Sequence, residues 1–374
     1  MMTTKPIGLY VHVPFCVRKC NYCDFCSFVV EDCSWRDAYI NTLCREIQLY
    51  RGKNISIDSI FFGGGTPSLL TADEFGTIVE RIRECFDVTK DVEFTIEANP
   101  KTINEDKLRA FVNCGVNRLS IGLQSIHENE QKILGRIHNY DDFLGIYRTA
   151  RKLGVKNVNV DLMYGIPEQT IDSFNATLDS IIALSPEHIS LYGLILEEGT
   201  PFFEMVNDLN LPEEDSECDM YYLACDKLSE NGFSHYEISN YSKDGYACRH
   251  NLKYWRDEEY IGVGLAAHSY FEGRRYGNTR DVEKYLAGEF ALCDGVETID
   301  IESMAYEYVM LALRLKEGFS LRDYKSRFGV DFCKGRENKI RMLAENDLLK
   351  IDGDRLSLTE KGFYVSNNIL TELL

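Results

Sequence analysis

The sequence predicts an α/β protein, a partial TIM-like (β/α)6 barrel followed by a mainly helical, winged-helix-like domain. Three observations carry this prediction. Apolar runs at 7–13, 57–62, 92–97, 118–123, 157–163 and 188–196 recur through the first two hundred residues. They are short and apolar nearly throughout, as in strands buried on both faces. Helical patterns near 35–50, 72–85, 104–114, 127–152 and 171–184 separate them, so the strands read as parallel and covered by helices. The tail, 302–374, then changes to helical stretches at 302–316, 320–328 and 335–346 and a hairpin at 348–359 with a Gly-Asp turn.

Thr71 and Asn104 stand where helix N-caps belong, the latter after Pro100 has ended a strand. Six units suit an open or partial barrel better than a closed one of eight. The barrel is expected over 1–205. Residues 206–300 form a second segment: an acidic linker interrupted by Pro212, a helix near 216–231, then irregular, aromatic-rich sequence. Residues 301–374 form the third. A winged-helix-like tail suggests DNA binding or docking to another protein. The chain has 41 Lys+Arg against 60 Asp+Glu, a net charge of −19, which repels a phosphate backbone and leaves docking as the expectation.

The opening residues, MMTTKPIGLY, hold no apolar run of signal-peptide length, and no run anywhere reaches a membrane span. The cytoplasm is the expected compartment. Thirteen cysteines, an odd number, then suggest reduced thiols, and clustered ones suggest metal.

That cluster is HVPFCVRKCNYCDFCSF, residues 12–28, in which Cys16, Cys20 and Cys23 form C-x3-C-x2-C just after the first strand. Arg18, Lys19, Asn21 and Asp24 interleave the thiols, so the segment is a loop rather than a packed apolar run. Structural zinc wants four ligands, usually as two spaced pairs. Three thiolates on one loop suit an iron–sulfur cluster with one iron left open. Cys26, three residues on, reads as a spare thiol, because a fourth ligand would close that position.

Ligands in such folds sit at the carboxyl ends of the strands. Those ends carry Gly63-Gly64-Gly65-Thr66, Glu97, Gln124 and Asp161, with Arg136 just beyond the fourth strand. No lysine follows the glycines as a phosphate loop requires. Four polar groups and a glycine run at one end of successive strands point to one ligand site.

LYVHVPFC, FFGGGTPS, EANP, NRLSIGLQS, LGRIH and DLMYGIP run in that order through residues 9–167. They resemble the radical S-adenosylmethionine (SAM) superfamily, in the branch that holds oxygen-independent coproporphyrinogen oxidase and the HemW heme chaperones. The resemblance continues to YEISNY, 236–241, and implies the barrel of that superfamily. It implies a 4Fe-4S cluster on Cys16, Cys20 and Cys23. It implies SAM contacts at Tyr10, Tyr22, Gly64, Gly65, Thr66, Glu97, Gln124, Arg136 and Asp161. The oxidase carries a further C-x-C and a longer leading segment, whereas Asp24 and Phe25 follow Cys23 here. His250-Asn251-Leu252-Lys253-Tyr254-Trp255 matches the H-N-x-x-Y-W motif of the chaperones.

The resemblance therefore implies heme as a further ligand and, as partners, heme and an acceptor protein, for which a membrane-associated one is a candidate. A homodimer and the turnover of SAM are left open, and nucleic acid is not a partner. Oxidative decarboxylation of coproporphyrinogen is the alternative activity. Heme iron wants an imidazole or a thiolate, which makes His250 and Cys248 its candidate ligands; Tyr254 and Trp255 would supply apolar walls, and Arg249, Lys253 and Arg256 the cations for the propionates. Cys33, Cys44, Cys85, Cys114, Cys218, Cys225, Cys293 and Cys333 are scattered and read as structural.

Overall fold

The computed structural model describes residues 5–290 and 300–374; Cys293 lies outside them. Six of its strands are those the sequence predicts: β1 (Ile7–Val13), β2 (Ser56–Gly64), β3 (Asp87–Ala98), β4 (Arg118–Gln124), β5 (Asn157–Tyr164) and β6 (His188–Gly193). The helices between them are α1 (Arg36–Gln48), α2 (Ala72–Cys85), α3 (Glu105–Asn113), α4 (Glu128–Ile133), α5 (Tyr140–Lys152) and α6 (Ile171–Leu184). Thr71 closes a capping box with Glu74, and the Asn104 side chain accepts from Lys107 N–H, so both expected caps form. The expected helix at 127–152 is two. A turn through Leu134–His138 separates α4 from α5, with Gly135 at φ +78°, a left-handed conformation that glycine adopts without a Cβ clash.

The segment expected to be irregular is not. After α7 (Pro201–Glu204) and α8 (Glu214–Glu230) it contributes β7 (Ser234–Glu237), β8 (Asn240–Ser242), α9 (Arg249–Trp255), β9 (Tyr260–Val263), β10 (His268–Phe271), β11 (Arg274–Gly277) and α10 (Val282–Ala287). All five strands join the barrel sheet, whose order is β11-β10-β9-β1-β2-β3-β4-β5-β6-β8-β7. From β9 to β6 the pairing is parallel, and the last two strands at each end run antiparallel. The sheet has two edges and is not closed. Four residues or fewer per strand give too little alternation to read, and the register that fixes β9 is long-range, with Gly8 opposite Tyr260.

Alternate residues of the parallel strands divide the core. Leu119, Ile121, Leu123, Val158 and Val160 are fully buried among apolar neighbours. The polar residues between them meet inside the curved sheet. Asn159 donates to Ser120 at 2.8 Å and to Asp161 at 2.7 Å, and His188 Nδ1 donates to Asn159 at 2.6 Å. Buried polar groups are tolerated when they satisfy one another in this way.

The tail builds a second unit from α11 (Ile301–Ala312), β12 (Phe319–Ser320), α12 (Leu321–Phe328), α13 (Glu337–Glu345), β13 (Leu349–Asp352), β14 (Arg355–Leu358), α14 (Glu360–Tyr364) and α15 (Ser366–Leu373). Its three strands pair in the order β12-β14-β13. On α12, Arg322 pairs with Asp354, Lys325 with Asp331 and Arg327 with Asp257, so this helix offers acids beside its bases rather than a basic face. Among the described residues no helix is long and apolar enough to cross a membrane, and all the described cysteines are free thiols.

A buried carboxyl fastens β9 and the loop after it to α1. Glu46 accepts from Gly264 N–H at 2.8 Å, Asn278 at 2.6 Å and Tyr285 OH at 2.7 Å. Burial pushes its pKa up to about 7, against 4.5 for an ordinary glutamate. A raised folded-state value favours the fold fully below pH 4.5, and that contribution is lost as pH rises through about 7. We predict that Glu46→Gln removes this part of the pH dependence. In urea titrations the variant gains on the parent between about pH 5 and pH 8; a constant difference across that range would contradict the assignment.

Candidate cofactor site at the strand ends

The cysteine loop leaves β1 and is clasped at once to the exit of β2. Gly65 N–H donates to Val13 O at 2.8 Å, and Thr66 N–H to Phe15 O at 2.7 Å. A Cβ on Gly65 would sit 2.8 Å from Phe15 O and 2.9 Å from Val13 O, so the approach needs glycine. Gly64 (φ +107°) passes the His12 ring at a distance that leaves a Cβ no room. The far end of the loop is tied to the turn after α4. Asn21 N–H donates to Leu134 O at 3.0 Å, and the Asn21 amide to Ile133 O at 2.8 Å.

Between these clasps lie the three thiols. Thr66 Oγ1 donates to Cys16 Sγ at 3.7 Å and Arg136 Nη1 to Cys20 Sγ at 3.5 Å. Burial raises the pKa of Cys16, and that of Cys23 to about 11, and the neighbouring cysteines raise both further. The sulfurs are near enough for their charges to act on one another, but they do not all lie within 4.8 Å of one another. Tetrahedral zinc at roughly 2.3 Å from each sulfur draws thiolates to about 3.8 Å. A wider trio suits a cubane, whose thiolates sit on separate irons. The residues present fit the 4Fe-4S cluster.

The residues expected at the strand ends converge beside this loop. Arg136 Nη2 donates to Gly122 O at 2.6 Å, and Gln124, at φ +74°, ends β4 with its side-chain oxygen buried and unpartnered. Glu97 accepts from Gly64 N–H at 3.2 Å. Burial first, and then the charge of Asp161, push Glu97 up to about 8. Burial also raises Asp161, against its bonds to Asn159 and Ser120. Tyr22, between two of the cysteines, lies close enough to Arg136 and Asp161 for their charges to act on its hydroxyl. An orphaned amide oxygen, two carboxyls that burial raises against the pull of Arg118, and a glycine-lined edge fit a cationic, hydroxyl-bearing ligand such as SAM.

A cavity of about 560 Å³ opens over Tyr10, Gly64 and Glu97. Its other walls are His12, Phe25, Cys26, Tyr254, Trp255, Tyr260, His268 and Arg280. His12 Nε2–H donates to Cys26 O at 2.8 Å, which leaves Nδ1 to accept from Tyr10 OH at 3.0 Å. The charged groups acting on the Cys26 thiol are Arg280 and Lys19 rather than other cysteines.

Tyr254 and Trp255 thus stand where apolar walls were expected. His250 and Cys248, the expected heme ligands, are not among the residues that line the cavity. His250 is 1% exposed, 3.1 Å from Ser59 Oγ through Nδ1 and 2.8 Å from Tyr254 OH through Nε2. Cys248 is fully buried beside Glu93. The Glu93 carboxylate accepts from the Arg249 and His250 N–H groups at 3.0 Å each and so caps the N-terminus of α9. The three expected cations are committed elsewhere: Arg249 to Asp91, Lys253 to Asp58 at 2.9 Å, and Arg256 to Glu317. The motif is the anchor that sets Tyr254 and Trp255 in place. Sequence reasoning gave no role to His12, Glu93 or Arg280. The first two alternate with apolar neighbours in a strand, which is the signal that could have found them.

Residues 10–181 match the family model described as the radical SAM superfamily, and residues 299–365 the HemN C-terminal domain. The chain is 34% identical to a protein of Lactococcus lactis named heme chaperone HemW, covering 100% of this chain and 98% of that one. It is 33% identical to the Escherichia coli protein of the same name, covering 99% and 98%. The solved structure of coproporphyrinogen III oxidase (HemN) from Escherichia coli superposes with a TM-score of 0.86 at 22% identity, over 98% of this chain and 90% of that one. That likeness is one of fold.

The cysteine roles are open to test. Cys20→Ala is expected to lose most of the iron and acid-labile sulfide after anaerobic reconstitution while keeping the far-ultraviolet circular dichroism of the parent, and Cys26→Ala to keep both. A full cluster in Cys20→Ala would show another thiol in its place.

Proposed function

The chain belongs to the radical SAM superfamily and, within it, to the family of the proteins named heme chaperone HemW, and on that premise we propose that it binds heme in the cavity beside its cysteine loop and passes it to an acceptor protein. The observation that carries this reading is that strand-end residues and a set of aromatic and basic residues line one space. The strand-end residues are Tyr10, Gly64 and Glu97, with Cys26 from the cysteine loop; the others are Tyr254, Trp255, Tyr260, His268 and Arg280. A space of about 560 Å³ lies within the range of cofactor sites.

Each part of a heme has a counterpart there. The macrocycle takes aromatic faces, which Tyr254, Trp255 and Tyr260 offer. The iron takes an imidazole or a thiolate; His268, an exposed side chain, and Cys26, half-buried, face the space. A propionate takes a cation, and Arg280 stands at the rim beside the Asp24 carbonyl. His250 then acts at one remove, holding Tyr254 through its ring nitrogen. Transfer onward suits an open site better than a closed one.

The cluster would be held by Cys16, Cys20 and Cys23. SAM would be held by Tyr10, Tyr22, Gly64, Gly65, Thr66, Glu97, Gln124, Arg136 and Asp161. When bound, the cluster supplies an electron and an iron with an open coordination position. The chain's own contribution is to bury Cys16, place Arg136 against Cys20, and keep Glu97 and Asp161 where a cationic ligand can claim them.

Heme titration of the cluster-loaded chain is expected to give a saturable Soret change at about one equivalent. That change should be weakened at least severalfold in His268→Ala. Anaerobic incubation with coproporphyrinogen, SAM and a reductant is expected to give no vinyl product. Absence of any Soret change would overturn the chaperone reading, and formation of the vinyl porphyrinogen would replace it with the oxidase.

A further inference from the structure

Cys225, His235 and Glu360 meet where the barrel joins the C-terminal unit. Cys225 lies on α8, His235 on the edge strand β7, and Glu360 opens α14. Their ligand atoms all lie within 4.8 Å of one another. The three come from separate elements, so the fold rather than a local motif brings them together, and none of them lines the cavity described above.

The histidine is prepared as a ligand. Its Nε2–H donates to Ile238 O at 3.5 Å, which leaves the lone pair on Nδ1, and Nδ1 is buried without a partner. A ring N–H on a backbone carbonyl, with the other nitrogen bare, is how metal-binding histidines are commonly oriented. The ring cannot easily turn away. It stacks on Tyr241, with centroids 4.2 Å apart and planes 14° apart, and packs against Phe363 at 5.3 Å. The Cys225 thiol lies 3.2 Å from the Tyr241 hydroxyl, the same ring on which His235 stacks. Glu360 is bound to Lys316 at 3.0 Å through Oε2.

We propose that Cys225, His235 and Glu360 form a binding site for a zinc-type divalent cation that fastens the C-terminal unit to the barrel. One thiolate, one imidazole and one carboxylate are a donor set for zinc, not for magnesium or calcium, which take oxygen. On binding, the Cys225 S–H proton leaves to solvent as the metal–sulfur bond forms. The cation's two charges are matched by one thiolate and one carboxylate, with Lys316 retained on the second carboxylate oxygen. Water completes the fourth position, which makes this an open, exchangeable three-ligand zinc site rather than a closed structural one. Because the ligands span α8, β7 and α14, the metal adds a cross-link between the two units. The inference stands apart from the heme reading.

The test uses the full chain with its iron–sulfur cluster assembled and iron counted, equilibrated with buffered zinc and freed of excess. About one equivalent of zinc is expected in the parent, lost in His235→Ala and in Glu360→Gln, with iron unchanged in all three. The parent's melting temperature should rise with zinc and that of His235→Ala should not. Should His235→Ala fail to fold, the half-exposed Glu360→Gln gives the zinc count alone. No zinc in the parent, equal zinc in parent and variants, or zinc that enters only as iron is lost would each overturn the proposal.

Discussion

Two backbone hydrogen bonds, Gly65 N–H to Val13 O and Thr66 N–H to Phe15 O, hold the site together. They join the exits of two adjacent parallel strands, and they form because Gly65 has no Cβ to strike the Phe15 carbonyl. With that clasp made, Cys16 is buried under Thr66 and the rest of the loop swings over the strand ends. The second clasp, Asn21 on the turn after α4, brings Cys20 to Arg136. A loop fixed at both ends behaves as part of the scaffold, which a cluster needs if its thiolates are to be placed before iron arrives.

The parts of this arrangement that could be read in the sequence are those with local causes. The helix expected at 72–85 is found at Ala72–Cys85, because a capping box and a 3.6-residue apolar stripe act within one turn of the residues they order. Cys16, Cys20 and Cys23 stood out because polar residues interleave them. Glu97 stood out by its place at the end of a strand, and Asp161 because a carboxyl in an apolar run demands a partner. What could not be read depended on distant pairing. Strands β7 to β11 are too short to show a period, and β9 owes its place to Gly8 and Leu9 on the far side of the sequence. His250 illustrates the limit differently. Its chemistry allows a heme ligand, but the neighbours that bury it, Ser59, Phe61 and Tyr254, come from the fold.

The aromatic lining of the cavity depends on one buried carboxylate. Glu93 satisfies the first N–H groups of α9; α9 ends in Tyr254 and Trp255, which line the space. The C-terminal unit leans on the same helix end, with Arg314 over the Trp255 ring and Arg327 paired to the buried Asp257. The tail thus touches the helix end that carries the aromatic lining. A partner docking on the tail would lie close to the cavity, as delivery of a bound ligand requires.

We propose that Cys16, Cys20 and Cys23 would hold the cluster and that SAM would bind beside it, among the residues around Glu97. The electron paramagnetic resonance spectrum of the reduced cluster, recorded with and without SAM, tests it most directly. The account predicts that SAM changes the spectrum of the parent chain and that the change is weakened in Glu97→Gln. An identical spectrum with and without SAM, in a chain carrying a full complement of iron and sulfide, would contradict it.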